Sequence, residues 1–151
     1  MKLPDFKVTA IVEMPAGTSY KYEVDKADGR LFLDRPLNQK IPYSYGYIEG
    51  TTSKDGDPTD IFVVSGYPIL PLSKVEVVLH GILYCDDNGV EDNKLIGLLA
   101  GEEFYGWDGY LTNIVEYLNT YKEGFRVLKF DDAPWAIKAY QESRVWPNPA
   151  S

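Results

Sequence analysis

The chain has 151 residues, 44% hydrophobic and 25% charged, which is the size and composition of one globular domain over residues 1–151. Its formal net charge of −8 argues against nucleic acid or an anionic membrane as the main partner. A single cysteine, Cys85, excludes an internal disulfide and agrees with a reducing compartment; Met1–Asp5 carries no leader-like apolar stretch, and no run nears the roughly 18 apolar residues of a membrane span. The expectation is a soluble cytoplasmic protein.

Phe6–Met14 alternates as a strand and ends at the Pro15-Ala16-Gly17 turn. Ser19–Val24 alternates more strictly, with Tyr20, Tyr22 and Val24 on one face and Lys21 and Glu23 on the other. Asp28-Gly29 turns the chain into Leu31–Arg35, and three short strands with tight connections predict an antiparallel meander. Tyr43, Tyr45 and Tyr47 form a stripe at period two, the pattern of a packed aromatic face. Strand-like runs follow at Ile61–Tyr67, Val75–Cys85 and Lys94–Ala100, with Asn88-Gly89 marking a hairpin tip.

From Leu111 the period changes: Leu111, Ile114, Val115, Leu118 and Tyr121 recur at helical spacing, with Gly124 as a stop. Phe125–Phe130 returns to strand, and Asp131 and Asp132 offer N-caps to a helix reaching Ser143, before a tail at Trp146-Pro147-Asn148-Pro149. Many short strands with helices near residues 111 and 133 predict an α+β fold, an antiparallel barrel or sheet with packed helices.

The candidate chemistry is acidic. Asp55, Asp57 and Asp60 fall within six residues on a Gly- and Pro-containing turn, and Asp86, Asp87, Glu91 and Asp92 cluster at the hairpin tip. Two carboxylates 4 Å apart repel by roughly 4 kcal/mol at an effective dielectric of 20, and hard divalent cations such as Mg²⁺ relieve this through oxygen ligands. Asp, Gly and Pro are also ordinary turn residues, so the first stretch alone leaves both readings open. The calcium helix-loop-helix pattern fails, because Asp60 and Gly66 stand where Gly and Glu are required. Zinc is disfavoured, since His80 and Cys85 are the sole candidates of their types and both read as strand residues. What remains is a carboxylate cage for Mg²⁺ serving phosphoryl transfer or phosphate-ester and anhydride hydrolysis, with Lys21, Arg35, Lys94 and Lys122 as cations for phosphate.

Asp55-Gly56-Asp57-Pro58-Thr59-Asp60-Ile61 resembles the signature of the metal-dependent, β-barrel soluble inorganic pyrophosphatases. Ile11–Pro15, Tyr20–Asp25, Leu33-Asp34-Arg35, Tyr45–Ile48, Glu91–Lys94 and Tyr121-Lys122 follow in that family's order. The resemblance implies a five-stranded OB-like antiparallel β-barrel with flanking C-terminal helices, in a homo-oligomer. It implies hydrolysis of pyrophosphate to two orthophosphates with several Mg²⁺ ions. It makes Asp55, Asp60, Asp87 and Asp92 metal ligands, with Glu13 and Glu23 holding metals through water. Asp57 becomes the ligand or base beside the attacking water, with Tyr45 assisting; Lys21, Arg35, Tyr45, Lys94, Tyr121 and Lys122 bind phosphate or position the water. The chain departs from the family at Thr59, usually aliphatic, at Ile41, often a tyrosine, and at Asn88, often acidic. These departures motivate the alternative of a degenerate, non-catalytic Mg²⁺–pyrophosphate or phosphate-binding module.

Overall fold

In the computed structural model of the protein, residues 5–102 and 108–145 are described. They form β1 (Lys7–Met14), β2 (Tyr20–Val24), β3 (Leu31–Pro36), β4 (Ser44–Ile48), β5 (Asp60–Val64), β6 (Lys74–Asp87), β7 (Val90–Glu91), β8 (Lys94–Leu99), α1 (Asp108–Asn119), β9 (Phe125–Asp132) and α2 (Ala133–Ser143). No helix among the described residues is long and apolar enough to cross a membrane. The expected tail at Trp146–Pro149 lies outside the described residues.

Strands β1, β4, β5, β8 and β6 pair in that order, and β6 returns to β1, closing a five-stranded barrel. Closure leaves no open edge in the ring. The expected barrel is present, with one refinement: β5 and β8 pair in parallel, and the other four pairings are antiparallel. β6 reaches both ways because it is 14 residues long: Lys74–Val78 pairs with β1, while Gly81–Asp87 pairs with β9.

The predicted meander does not form. Both edges of β1 are taken by β4 and β6, so β2 and β3 make a hairpin of their own. Gly29, at φ 74, supplies its turn, donating its N–H to the Asp25 carbonyl. Glu13 ties this hairpin to the barrel, its Oε2 accepting the Val24 N–H at 2.8 Å and Lys26 Nζ at 3.0 Å.

The run Ile61–Val64 is apolar without alternation because both faces of β5 are buried. Ile61 and Val63 join a cluster drawn from all five ring strands and covered by Ala136 of α2. Phe62 and Val64 join another with Met14, Ile41, Leu83 and Ile96, covered by Ile114, Tyr117 and Leu118 of α1. Helix α1 stops at Asn119, earlier than its apolar period suggested, so Tyr121 and Lys122 lie in the following turn. Asp132 takes the N-cap position of α2 but makes no side-chain capping bond.

Candidate active site

The parallel register of β5 and β8 sets Asp60 beside Lys94 at one end of the barrel. Around that end opens a cavity of about 180 Å³. β1 contributes Glu13, β2 contributes Lys21 and Glu23, and β4 contributes Tyr45; the acidic turn adds Asp55 and Asp57. Asp60, Asp87, Asp92, Lys94, Tyr121 and Lys122 complete the lining among the residues expected from sequence. Of the residues expected from sequence, Arg35 alone does not line the cavity: it pairs with Lys21 across the hairpin and lays its guanidinium 5.1 Å from the centre of the Tyr121 ring.

Lys94 is the electrostatic centre. Its Nζ donates to Asp60 Oδ2 at 2.7 Å, Asp92 Oδ1 at 3.0 Å and the Tyr45 hydroxyl at 2.8 Å, using all three ammonium hydrogens. Burial disfavours its charge, but Asp60 and Asp92 outweigh that and hold its pKa above the ordinary value. The opposite balance governs Asp92: burial, with Asp60 and Asp55 nearby, raises its pKa against the pull of Lys94. Burial also raises Glu13, opposed by the Val24 N–H and Lys26. Burial and Asp60 push the Tyr45 phenol well above its usual range, so it stays protonated.

The acidic turn is built on Asp55. Its Oδ1 accepts the Asp57 N–H at 2.9 Å and the Ser53 hydroxyl at 2.7 Å, and Gly56 provides the positive φ of 89 the bend requires. Among the described residues, the Asp57 carboxylate has neither a hydrogen-bond nor an ion-pair partner. The second acidic cluster divides. Asp87 and Asp92 face the cavity, whereas Asp86 turns to Arg126 and Glu91 pairs with Lys54.

Seven carboxylates and four ammoniums line the cavity, an excess of three negative charges. Ammoniums pair with four of the carboxylates: Lys94 with Asp60 and Asp92, Lys122 at 2.8 Å from Asp87, and Lys26 with Glu13. No three acidic, His or Cys side chains among the described residues converge at ligand distance. The donor set nevertheless fits a hard divalent cation, being all oxygen and in charge excess. Cys85, buried with its thiol pushed up to about 12, and His80 lie outside the cavity, as the sequence reading expected.

Sequence reasoning missed Lys26, Tyr22 and Tyr47. Lys26 sits in a turn and reads as a solvent lysine; the fold brings it 4.4 Å from the centre of the Tyr47 ring. The tyrosine stripe splits: Tyr45 and Tyr47 line the cavity, while Tyr43 packs on Tyr110. Ile41 is fully buried under α1, outside the cavity, and Thr59 Oγ1 is buried without a hydrogen-bond partner among the described residues.

A sequence profile of inorganic pyrophosphatases matches residues 10–144. The chain belongs to the inorganic pyrophosphatase family. An inorganic pyrophosphatase of Campylobacter jejuni is 38% identical over 91% of this chain and 90% of its own length. One of Sulfolobus acidocaldarius is 41% identical over 60% of this chain and 54% of its own. The crystal structure of the inorganic pyrophosphatase from Thermus thermophilus superposes with a TM-score of 0.85 at 32% identity, covering 95% of this chain and 91% of that one. Pyrophosphatases of this family are metal-dependent, in keeping with the charge excess of the cavity.

Proposed function

We propose that this chain is one Mg²⁺-dependent catalytic domain that hydrolyses inorganic pyrophosphate to two orthophosphates. The observation that carries the reading is the Asp57 carboxylate, without a partner among the described residues, in a cavity lined by six other carboxylates and four ammoniums. Asp55, Asp57, Asp60, Asp87 and Asp92 would hold Mg²⁺, with Glu13 and Glu23 in support, and the ion would supply charge neutralisation and a water of lowered pKa.

Asp57 takes the proton of the attacking water, whose oxygen bonds to one phosphorus as the bridging oxygen departs with its electron pair. Lys21, Arg35 and Lys122 offset the charge that develops on the phosphate oxygens. Tyr121 lies against Arg35 and Lys122 and sets their direction, its ring centre 5.1 Å and 6.0 Å from their charged groups. Tyr45 and Lys94 hold Asp60 and Asp92 at the metal-facing end.

Phosphate release is to be measured from pyrophosphate, ATP and tripolyphosphate under Mg²⁺ and under Ca²⁺. The expected result is release from pyrophosphate with Mg²⁺ in preference to the other substrates. Tight Mg²⁺–pyrophosphate binding without release at mildly alkaline pH would overturn it in favour of a binding module. We further place the protein in the cytoplasm as a homo-oligomer; the free buried Cys85 and the exposed Leu33, Tyr67 and Leu70 support this. Light scattering tests the assembly.

A further inference from the structure

Asn88 lies at the tip of the β6–β7 hairpin, exposed and outside the cavity lining, yet it bonds to Asp87 of the lining and to the turn that follows the lining residues Tyr121 and Lys122. Asn88 and Gly89 adopt positive φ of 52 and 93, the backbone of a tight Asn-Gly hairpin turn. That bend presents the Asn88 N–H to the Gly124 carbonyl at 3.0 Å, joining the hairpin tip to the turn after α1. The side-chain amide adds two more links: its Nδ2 donates to Asp87 Oδ1 at 3.0 Å and to the Glu123 carbonyl at 3.3 Å.

Gly124 makes the socket for this amide. Its φ of 81 disfavours other residues, and a Cβ there would overlap the Asn88 side-chain amide. Lys122, two residues earlier in the same turn, holds the other oxygen of Asp87 at 2.8 Å. One amide therefore grips both a carboxylate expected on the cation side and the turn that carries Lys122 and Tyr121, expected on the phosphate side.

We propose that Asn88 is a positioning residue of the active site: it fixes Asp87 relative to the Tyr121–Lys122 turn. Lys122 holds Asp87 by Oδ2 alone, so whenever Lys122 turns toward phosphate the Asn88 amide keeps Asp87 oriented by Oδ1. In this chain an aspartate at 88 would lose both donated bonds, having no hydrogen to donate, and would repel Asp87. The inference rests on the reading of Asp87 as a cation-binding group and Lys122 as a phosphate-binding one.

The test uses Asn88→Gly, which retains the positive-φ backbone and removes only the amide, and Asn88→Asp, which retains the size. Mg²⁺ and Mn²⁺ are titrated calorimetrically into the metal-free protein, and KM, kcat and half-saturating Mg²⁺ are read from phosphate release. Removing a group that orients a ligand weakens cation binding by about tenfold. The expected losses fall on cation affinity and KM rather than on kcat, with Asn88→Asp more affected than Asn88→Gly. In an Asp87→Asn background, Asn88→Gly produces no further loss of cation affinity. If Asp87→Asn weakens cation binding while both Asn88 variants bind as the parent does, the positioning role is overturned and the reading of Asp87 stands. If Asp87→Asn leaves cation binding unchanged, that reading fails and the proposal falls with it. A lower melting temperature in the Asn88 variants with unaltered cation affinity and KM also overturns it, since the role is then structural.

Discussion

Lys94 and Asp57 represent two different uses of charge at the residue scale. Lys94 is buried and fully committed, whereas Asp57 is exposed and, among the described residues, uncommitted. Lys94→Met strands two partly buried carboxylates. Breaking such a pair costs about 3 kcal/mol, near the lower end of the usual range because the Asp60 and Asp92 side chains keep 28% and 21% exposure. Urea denaturation of the metal-free variant measures the loss, and saturating Mg²⁺ should recover part of it. Asp57→Asn is expected to nearly abolish turnover, while Asp55→Asn and Asp92→Asn mainly raise the Mg²⁺ requirement. Initial rates across a Mg²⁺ series separate the two behaviours, and a wild-type rate in Asp57→Asn refutes its role as base. Asp92 also sets a pH dependence. Its folded pKa lies above the ordinary value of 3.8, so its contribution to stability is complete below that value and is lost as pH rises through the folded pKa. Asp87, whose pKa Lys122 and Asn88 lower against the effect of burial, acts in the opposite sense: its contribution is present above 3.8 and lost as pH falls below it. Melting temperatures of chelated protein, from pH 4 upward, should show the parent losing ground to Asp92→Asn; a parent that gains on the variant contradicts this.

At the scale of elements, the site depends on how closely the strands approach. Gly46 of β4 faces the β1 backbone, and a Cβ at this position would overlap the Ile11 carbonyl. Backbone cannot yield as a side-chain tip can. Gly46→Ala should therefore destabilise the metal-free protein by about 3 kcal/mol, the upper end of ordinary overpacking. That corresponds to a fall of about 6–12 °C in melting temperature for a chain of this size. An unchanged melting temperature means that β1 and β4 are less tightly joined than their register indicates. The β2–β3 hairpin shows a second effect. Between Lys21 and Tyr22 its register slips by one residue, and Asp34 on the opposite strand is left unpaired in the ladder, 3.5 Å from Lys21. Tyr22, which strict alternation placed on the face opposite Lys21 and Glu23, lines the cavity beside them.

For the whole molecule, a formal net charge of −8 and a cavity in charge excess mean that pyrophosphate, itself an anion, needs cations to enter. Cation and substrate binding should accordingly be coupled to stability. A non-hydrolysable diphosphonate with Mg²⁺, at 100 times its Kd, stabilises by about 2.7 kcal/mol through mass action. For a protein of this size that raises the melting temperature by about 5–10 °C. The diphosphonate without Mg²⁺ should produce little shift. Equal shifts with and without the cation would remove metal bridging from the reading.

Sequence alone determined what local pattern can encode. Asp55-Gly56-Asp57-Pro58 had to bend, because Asp bonds the backbone two residues on and Gly tolerates positive φ. Period placed the main strands and the first helix, capping residues placed the second, and the clustered aspartates with Lys21, Lys94 and Lys122 marked the charged part of the cavity, while Glu13, Glu23, Tyr45 and Tyr121 came from the family resemblance. Tertiary structure decided the rest. Strand pairing depends on contacts distant in the chain, so the sharing of β1 between β4 and β6 had no local signature. The parallel register that seats Lys94 between Asp60 and Asp92 likewise joins segments 34 residues apart. Nor did residue type reveal Lys26: whether a lysine faces solvent or a buried glutamate depends on the fold that surrounds it.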